Sequence, residues 1–141
     1  MRPAPATWRV VWTGDTTCRA VAELLADSPP IRSRPDVWSS LVEARATLHV
    51  TPQLPALQRC SVAVPHSVLV DSVDSVVAAV GSGPHSLLAA AAAQRVGDRL
   101  GVPASVLTGY RSRDERGQAN RALLDIAAGG IELPMRAVAT Q

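Results

Sequence analysis

The sequence predicts an α/β protein: a mainly parallel open sheet of about five strands with helices on both faces. Two observations carry this. Short apolar runs ("VVWTG", "TLHVT", "SVVAAV", "VPASVLTGY") recur along the chain, and amphipathic segments of helical length lie between them. Strands that alternate with helices need crossover connections, and crossovers join parallel neighbours. The length adds a bound, since 141 residues make one compact domain and fall short of two ordinary ones. We therefore expect a disordered Pro-rich lead-in over residues 1–6, "MRPAPA", and a single domain over residues 7–141.

Each element has a local reason. "TWRVVWTG" is β-branched and aromatic and stops at Gly14, which predicts a first strand. Asp15, Thr16 or Thr17 can cap the helix that follows. Its Val21, Leu24 and Leu25 fall on one face, and Pro29-Pro30 ends it. Asp36 can cap a short helix carrying Val37, Trp38, Leu41 and Val42. "TLHVT" reads as a strand, and "CSVAVPHSVLVDS", broken by Pro65, reads as an edge strand or two short strands. "SVVAAV" is a continuous apolar run of the kind that a sheet buries.

Over Ser86–Leu100, the residues Leu87, Leu88, Ala91, Ala92, Val96 and Leu100 form one stripe, and Gly101 is placed to end the helix. "VPASVLTGY" predicts a further strand. "SRDERGQANRALLDIAAGG" predicts a helix with Ala119, Leu123 and Ile126 inward, and "IELPMRAVAT" a last strand.

Composition excludes several classes. There is no Lys, so all fourteen basic residues are Arg, and the net charge of +2 is too small and too scattered for a nucleic-acid binder. Cys18 and Cys60 are far apart with no metal-type spacing, which fits a reduced, cytoplasmic protein. No signal peptide is legible, and the alanine run at residues 89–93 is too short to span a membrane.

The corner "GSGPHS", Gly81 to Ser86, joins a strand to a helix and is the leading candidate site. Gly81 and Gly83 let backbone approach an anion, Ser82 and Ser86 offer hydroxyls, and His85 stands at the helix mouth. The helix start itself adds partial positive charge. A short connection between strand and helix needs the same residue types, so the spacing leaves both readings open.

Residues 75–140, through the corner "GSGPHS", the helix "LLAAAAAQRVGDRLG" and the strand "VPASVLTGY", resemble the first half of a universal stress protein domain. That family belongs to the adenine-nucleotide-binding group of α/β folds. The resemblance implies ATP or another adenine nucleotide as ligand, bound near Gly81, Ser82, Gly83, His85 and Ser86, in a homodimeric protein of the stress response. The corner is also faintly similar to the Ser-Gly-Gly-x-Asp-Ser loop of pyrophosphate-releasing ATP enzymes. Gly81 stands where the stress-protein family carries Asp, and the family's later glycine phosphate motif has no counterpart here.

Other candidates are local. Asp15 in "TGDTT" reads as a cap first and an acid second; Asp71 and Asp74 read as a solvated turn or a cation pair. His49, His66 and His85 lack metal-ligand spacing, and neither cysteine has an activating neighbour. No Gly-x-Ser-x-Gly elbow occurs, and a phosphate loop of the Gly-Lys-Ser type is impossible without Lys. Trp8 and Trp12 share a strand face, as core or as a partner surface.

The expectation is thus a non-catalytic nucleotide- or anion-binding module without metal or membrane insertion. The alternative is a protein-interaction or regulatory domain of the same fold with no competent nucleotide site.

Overall fold

The computed structural model describes residues 1–66 and 70–140. The α/β class holds: the strands are parallel and separated by helices. Their grouping differs from the expected single sheet. The described strands form one sheet of four and one of three, in two compact units, Pro5–Ser72 and Met1–Ala4 with Val73–Gln141.

In the Pro5–Ser72 unit, β1 (Val10–Trp12), α1 (Thr16–Leu25), β2 (Ile31–Arg32), α2 (Val37–Glu43), β3 (Leu48–Val50) and β4 (Ser61–Ala63) follow in sequence. The sheet order is β2-β1-β3-β4. The chain leaves β1 toward one edge, to β2, then crosses back over β1 to β3. Right-handed crossovers therefore put α1 and α2 on opposite faces, and the strand order reverses between β1 and β3. Both helices are capped as their sequences promised. Asp15 accepts from Cys18 N at 3.1 Å, and Asp36 accepts from Ser39 N at 3.2 Å and from Ser39 Oγ at 2.7 Å. These bonds, the hydroxyl first, hold the Asp36 carboxyl below its ordinary pKa. Trp8, Val10, Val11, Leu25, Leu48 and Val50 form the core, so the Trp8–Trp12 pair is interior.

One feature of this unit was not legible. β2 is two exposed residues, made a strand by pairing with Val11 and Trp12. β4 is the expected edge strand, while the continuation expected through residues 67–69 lies outside the described residues.

In the other unit, β5 (Val76–Val80), α3 (Ser86–Leu100), β6 (Ala104–Tyr110), α4 (Arg113–Ala128) and β7 (Met135–Ala139) form a sheet in order β5-β6-β7. Ala78 and Val106 from the sheet cluster with Leu87, Ala90 and Ala93 of α3 and Ile126 of α4. Both helices thus cover one face of this sheet, where both faces were expected to be covered. A strand order that advances in one direction places successive right-handed crossovers on the same side.

Gly97 admits α3 close to β6, since a Cβ there would meet Ala104 Cβ at 2.9 Å. Gly101 ends α3 with φ +67°. The lead-in is tied down at its start: Arg2 N donates to Pro84 O at 3.0 Å, and Ala4 packs against the Ala78–Ile126 cluster. Among the described residues no helix is long and apolar enough to cross a membrane.

Candidate functional site

β5 ends at Val80, and the exposed segment Gly81–His85 carries the chain to α3. Neither Gly81 nor Gly83 has a positive φ, and a Cβ built on either meets nothing within 4 Å. The backbone therefore does not demand glycine at these two positions. Ser86 is buried and closes the corner on itself: its Oγ donates to Gly81 O at 2.7 Å and accepts from Gly81 N at 3.3 Å. His85 precedes the helix without a side-chain capping bond.

A cavity of about 240 Å³ opens beside this corner, at the carboxyl ends of β5 and β6. Gly81, Ser82, Thr108, Gly109, Glu115 and Gln118 line it. Of the five residues singled out from the sequence, Gly81 and Ser82 are on its wall, and Gly83, His85 and Ser86 are not. The structure adds β6 and α4, which local spacing could not bring to the corner. Thr108 is paired with Val80 across the sheet and is buried, while Glu115 and Gln118 come from the first turns of α4.

Glu115 is held in place. Ser112 Oγ accepts from Glu115 N at 3.2 Å, and the Glu115 carboxylate accepts from Arg111 N at 2.6 Å, so the "SRDE" run is a capping device displaced by one residue. Arg116 lies over the Tyr110 ring, 5.7 Å from its centroid. The cavity thus offers backbone and hydroxyl groups at its glycine end and a fixed carboxylate with an amide at the α4 end.

A second polar constellation lies at the strand-order reversal between β1 and β3, where open α/β sheets place ligand crevices. Gly14, with φ +98°, turns the chain after β1, packed against Pro52 of the segment after β3. Thr13 Oγ1 lies 2.8 Å from His49 Nε2 and 3.1 Å from Ser33 Oγ. The register Val11↔His49 explains this, because Thr13 is two residues beyond Val11 and shares its face. His49 is buried, and burial pushes its pKa below the ordinary value. Asp15 is occupied as a cap. Asp71 and Asp74 are exposed, and no cluster of three metal-binding side chains occurs among the described residues. Cys18 is buried and Cys60 half-buried, both thiols are unpaired, and burial raises both pKa values.

The histidine has a consequence for pH. In the folded chain it resists protonation at pH values where the unfolded chain accepts a proton, so the unfolded state binds more protons below the ordinary value of 6.5. Its contribution to stability is full above that value and declines as pH falls through it toward the folded pKa. Urea unfolding of wild type and His49→Gln, compared at about pH 7.5 and about pH 5.5, should show the larger acid loss in wild type. Equal losses would mean that His49 takes no part.

No protein-family model, no curated protein and no solved structure matches this chain.

Proposed function

We propose that residues 73–140 form a non-catalytic binding module for a small anionic ligand, with adenine nucleotides as the class to test first. The observation that carries this reading is the cavity of about 240 Å³ at the carboxyl ends of β5 and β6, with Gly81 and Ser82 in its wall. Ligands of open parallel sheets lie beyond that edge. Glycine at position 81 keeps the wall free of a side chain although the fold would accept one. The volume falls below the 300–1,000 Å³ of drug-sized sites, so it suits the sugar-phosphate part of a nucleotide, with the base outside. Ser82 and the Gly81 edge would meet the phosphate, and Glu115 and Gln118 would accept from sugar hydroxyls. Glu115, the one ionisable group on this wall among the described residues, is engaged by the Arg111 amide, which supports binding over acid–base catalysis.

The test is calorimetry and thermal melting with ATP, AMP and cyclic AMP. Ligand at a hundred times Kd stabilises by about 2.7 kcal/mol, which a melting curve resolves. Gly81→Val should weaken binding at least tenfold while leaving the melting temperature of the free protein nearly unchanged, because its Cβ has room.

A second reading, a protein-interaction or regulatory domain with no nucleotide site, is favoured by two particulars. The Ser86 hydroxyl occupies the Gly81 peptide, and the Glu115 charge opposes a phosphate. The face of the β5–β7 sheet opposite its helices carries Val77, 51% exposed, with half-buried Leu107 and Val138, and would receive the partner, a second copy of the chain included. Unchanged melting at millimolar nucleotide, with a dimer mass by light scattering that Val77→Asp reduces to a monomer, would establish this reading over the first.

A further inference from the structure

The Pro5–Ser72 unit holds a separate cavity of about 200 Å³ between α2 and the β3–β4 edge of its sheet. Its wall is largely apolar, built by Trp38 and Leu41 of α2, Leu57 of the connecting segment and Val62 of β4. Four lining residues break that character, exposed Gln58 among them. His49 is the buried polar side chain, 4% exposed. Thr13 engages its Nε2, and among the described residues Nδ1 has no partner. Arg59 stands on the wall with its guanidinium over the Trp38 ring, 5.1 Å from the centroid, and no carboxylate pairs with it among the described residues. Cys60 lines the same space. Among the described residues no acidic side chain does.

We propose that this cavity is a binding site for a small apolar monocarboxylate of single-ring size. An engineered cavity of roughly 150 Å³ in another protein admits benzene, so a cavity of about 200 Å³ admits one ring and a carboxylate. Apolar walls gain from covering the ring. The unpaired Arg59 supplies the counter-charge, and its planar fork matches two carboxylate oxygens. His49 adds one directed polar contact. The Ser33–Thr13–His49 chain fixes its ring, and because the Thr13 hydroxyl can donate or accept, Nδ1 takes the role complementary to that of Nε2. Trp38 is 45% exposed, a large aromatic left at the cavity rim beside a cation, where a ligand ring would cover it.

Cys60 makes the site readable in the intact chain. Benzoate is the probe, with benzyl alcohol as a neutral ring of similar size and acetate as a carboxylate without a ring. Alkylation of Cys60 and of Cys18 is followed separately by peptide mass spectrometry at constant ionic strength. Benzoate is expected to slow Cys60 alkylation at least fivefold and saturably at millimolar concentration, with Cys18 unaffected and both control probes at least fivefold weaker. Arg59→Gln, a change at an exposed residue, should remove the preference for benzoate over benzyl alcohol and leave the melting temperature in place. His49→Gln should weaken both ring compounds. Equal protection by benzoate and benzyl alcohol in wild type would overturn the carboxylate class. Absence of saturable protection by any of the three would overturn the site.

Discussion

Ile126→Ala is expected to destabilise the β5–β7 unit by about 2–5 kcal/mol, in the upper part of that range. Ile126 is fully buried, in contact with a cluster in which three of the other five members are alanine, Ala78, Ala90 and Ala93. Alanine side chains have no rotamers with which to reach into a vacated volume, so the lost methyl groups leave a cavity on top of the lost transfer energy. The alanine-rich face of α3 that brings the helix close to the sheet is thus the reason the larger side chain opposite it cannot be spared. Amide hydrogen exchange over β5, β6 and β7, with denaturant unfolding, measures the loss. Leu124→Ala is the control, since Leu124 lies on the same helix but is 70% exposed, and should change stability by no more than about 0.5 kcal/mol. Similar small effects for both changes would mean that α4 does not pack on the sheet through Ile126.

Gly14→Ala is expected to destabilise the Pro5–Ser72 unit by about 2–4 kcal/mol, from two costs that add. The residue has φ +98°, a conformation that costs an L side chain about 1–2 kcal/mol. The new Cβ would also stand 2.7 Å from Pro52 Cγ and 2.9 Å from Pro52 Cδ, atoms of a closed ring that cannot swing aside. Such overpacking costs about 1–3 kcal/mol more. The same substitution at Gly117 is the internal comparison. That glycine lies within α4 with nothing within 4 Å of a Cβ and no positive φ, so Gly117→Ala should stabilise by about 1 kcal/mol through helix propensity. Urea midpoints of the two variants should move in opposite directions. Tolerance of Gly14→Ala would show that the turn after β1 is not built on the close approach of Pro52.

Local chemistry was readable wherever cause and effect lie within one turn of the chain. Asp15 and Asp36 cap the helices that follow them because an N-cap needs only a side-chain oxygen two or three residues before the amides it satisfies. The bounds of α3, with left-handed Gly101 past its end, were legible, but its buried stripe runs through Leu87, Ala90, Ala93 and Gly97. Leu88, Ala91, Ala92, Val96 and Leu100 of the expected stripe are only half-buried, because the small residues set the close approach to the sheet. The glycine corner was legible as a corner because it too is local. Its counterpart across the cavity was not: Thr108, Glu115 and Gln118 reach Gly81 only because β6 pairs beside β5 and α4 begins just beyond it. His49 stood out in the sequence only as a histidine without metal spacing. Its bond to Thr13, 36 residues away, is a product of strand register.

Taken alone, the order of residues determined that this chain makes parallel strands and amphipathic helices, where most of them begin and end, and that a glycine-containing corner follows β5. These are outcomes of backbone sterics, capping and hydrophobic period, all interactions between near neighbours in the chain. Only the tertiary structure decided that the strands divide into sheets of four and three, that both helices of the smaller sheet share a face, and which groups stand around each cavity. Sheet membership and register are settled by the total apolar area that competing pairings bury. That sum runs over residues tens of positions apart, and no local pattern encodes it.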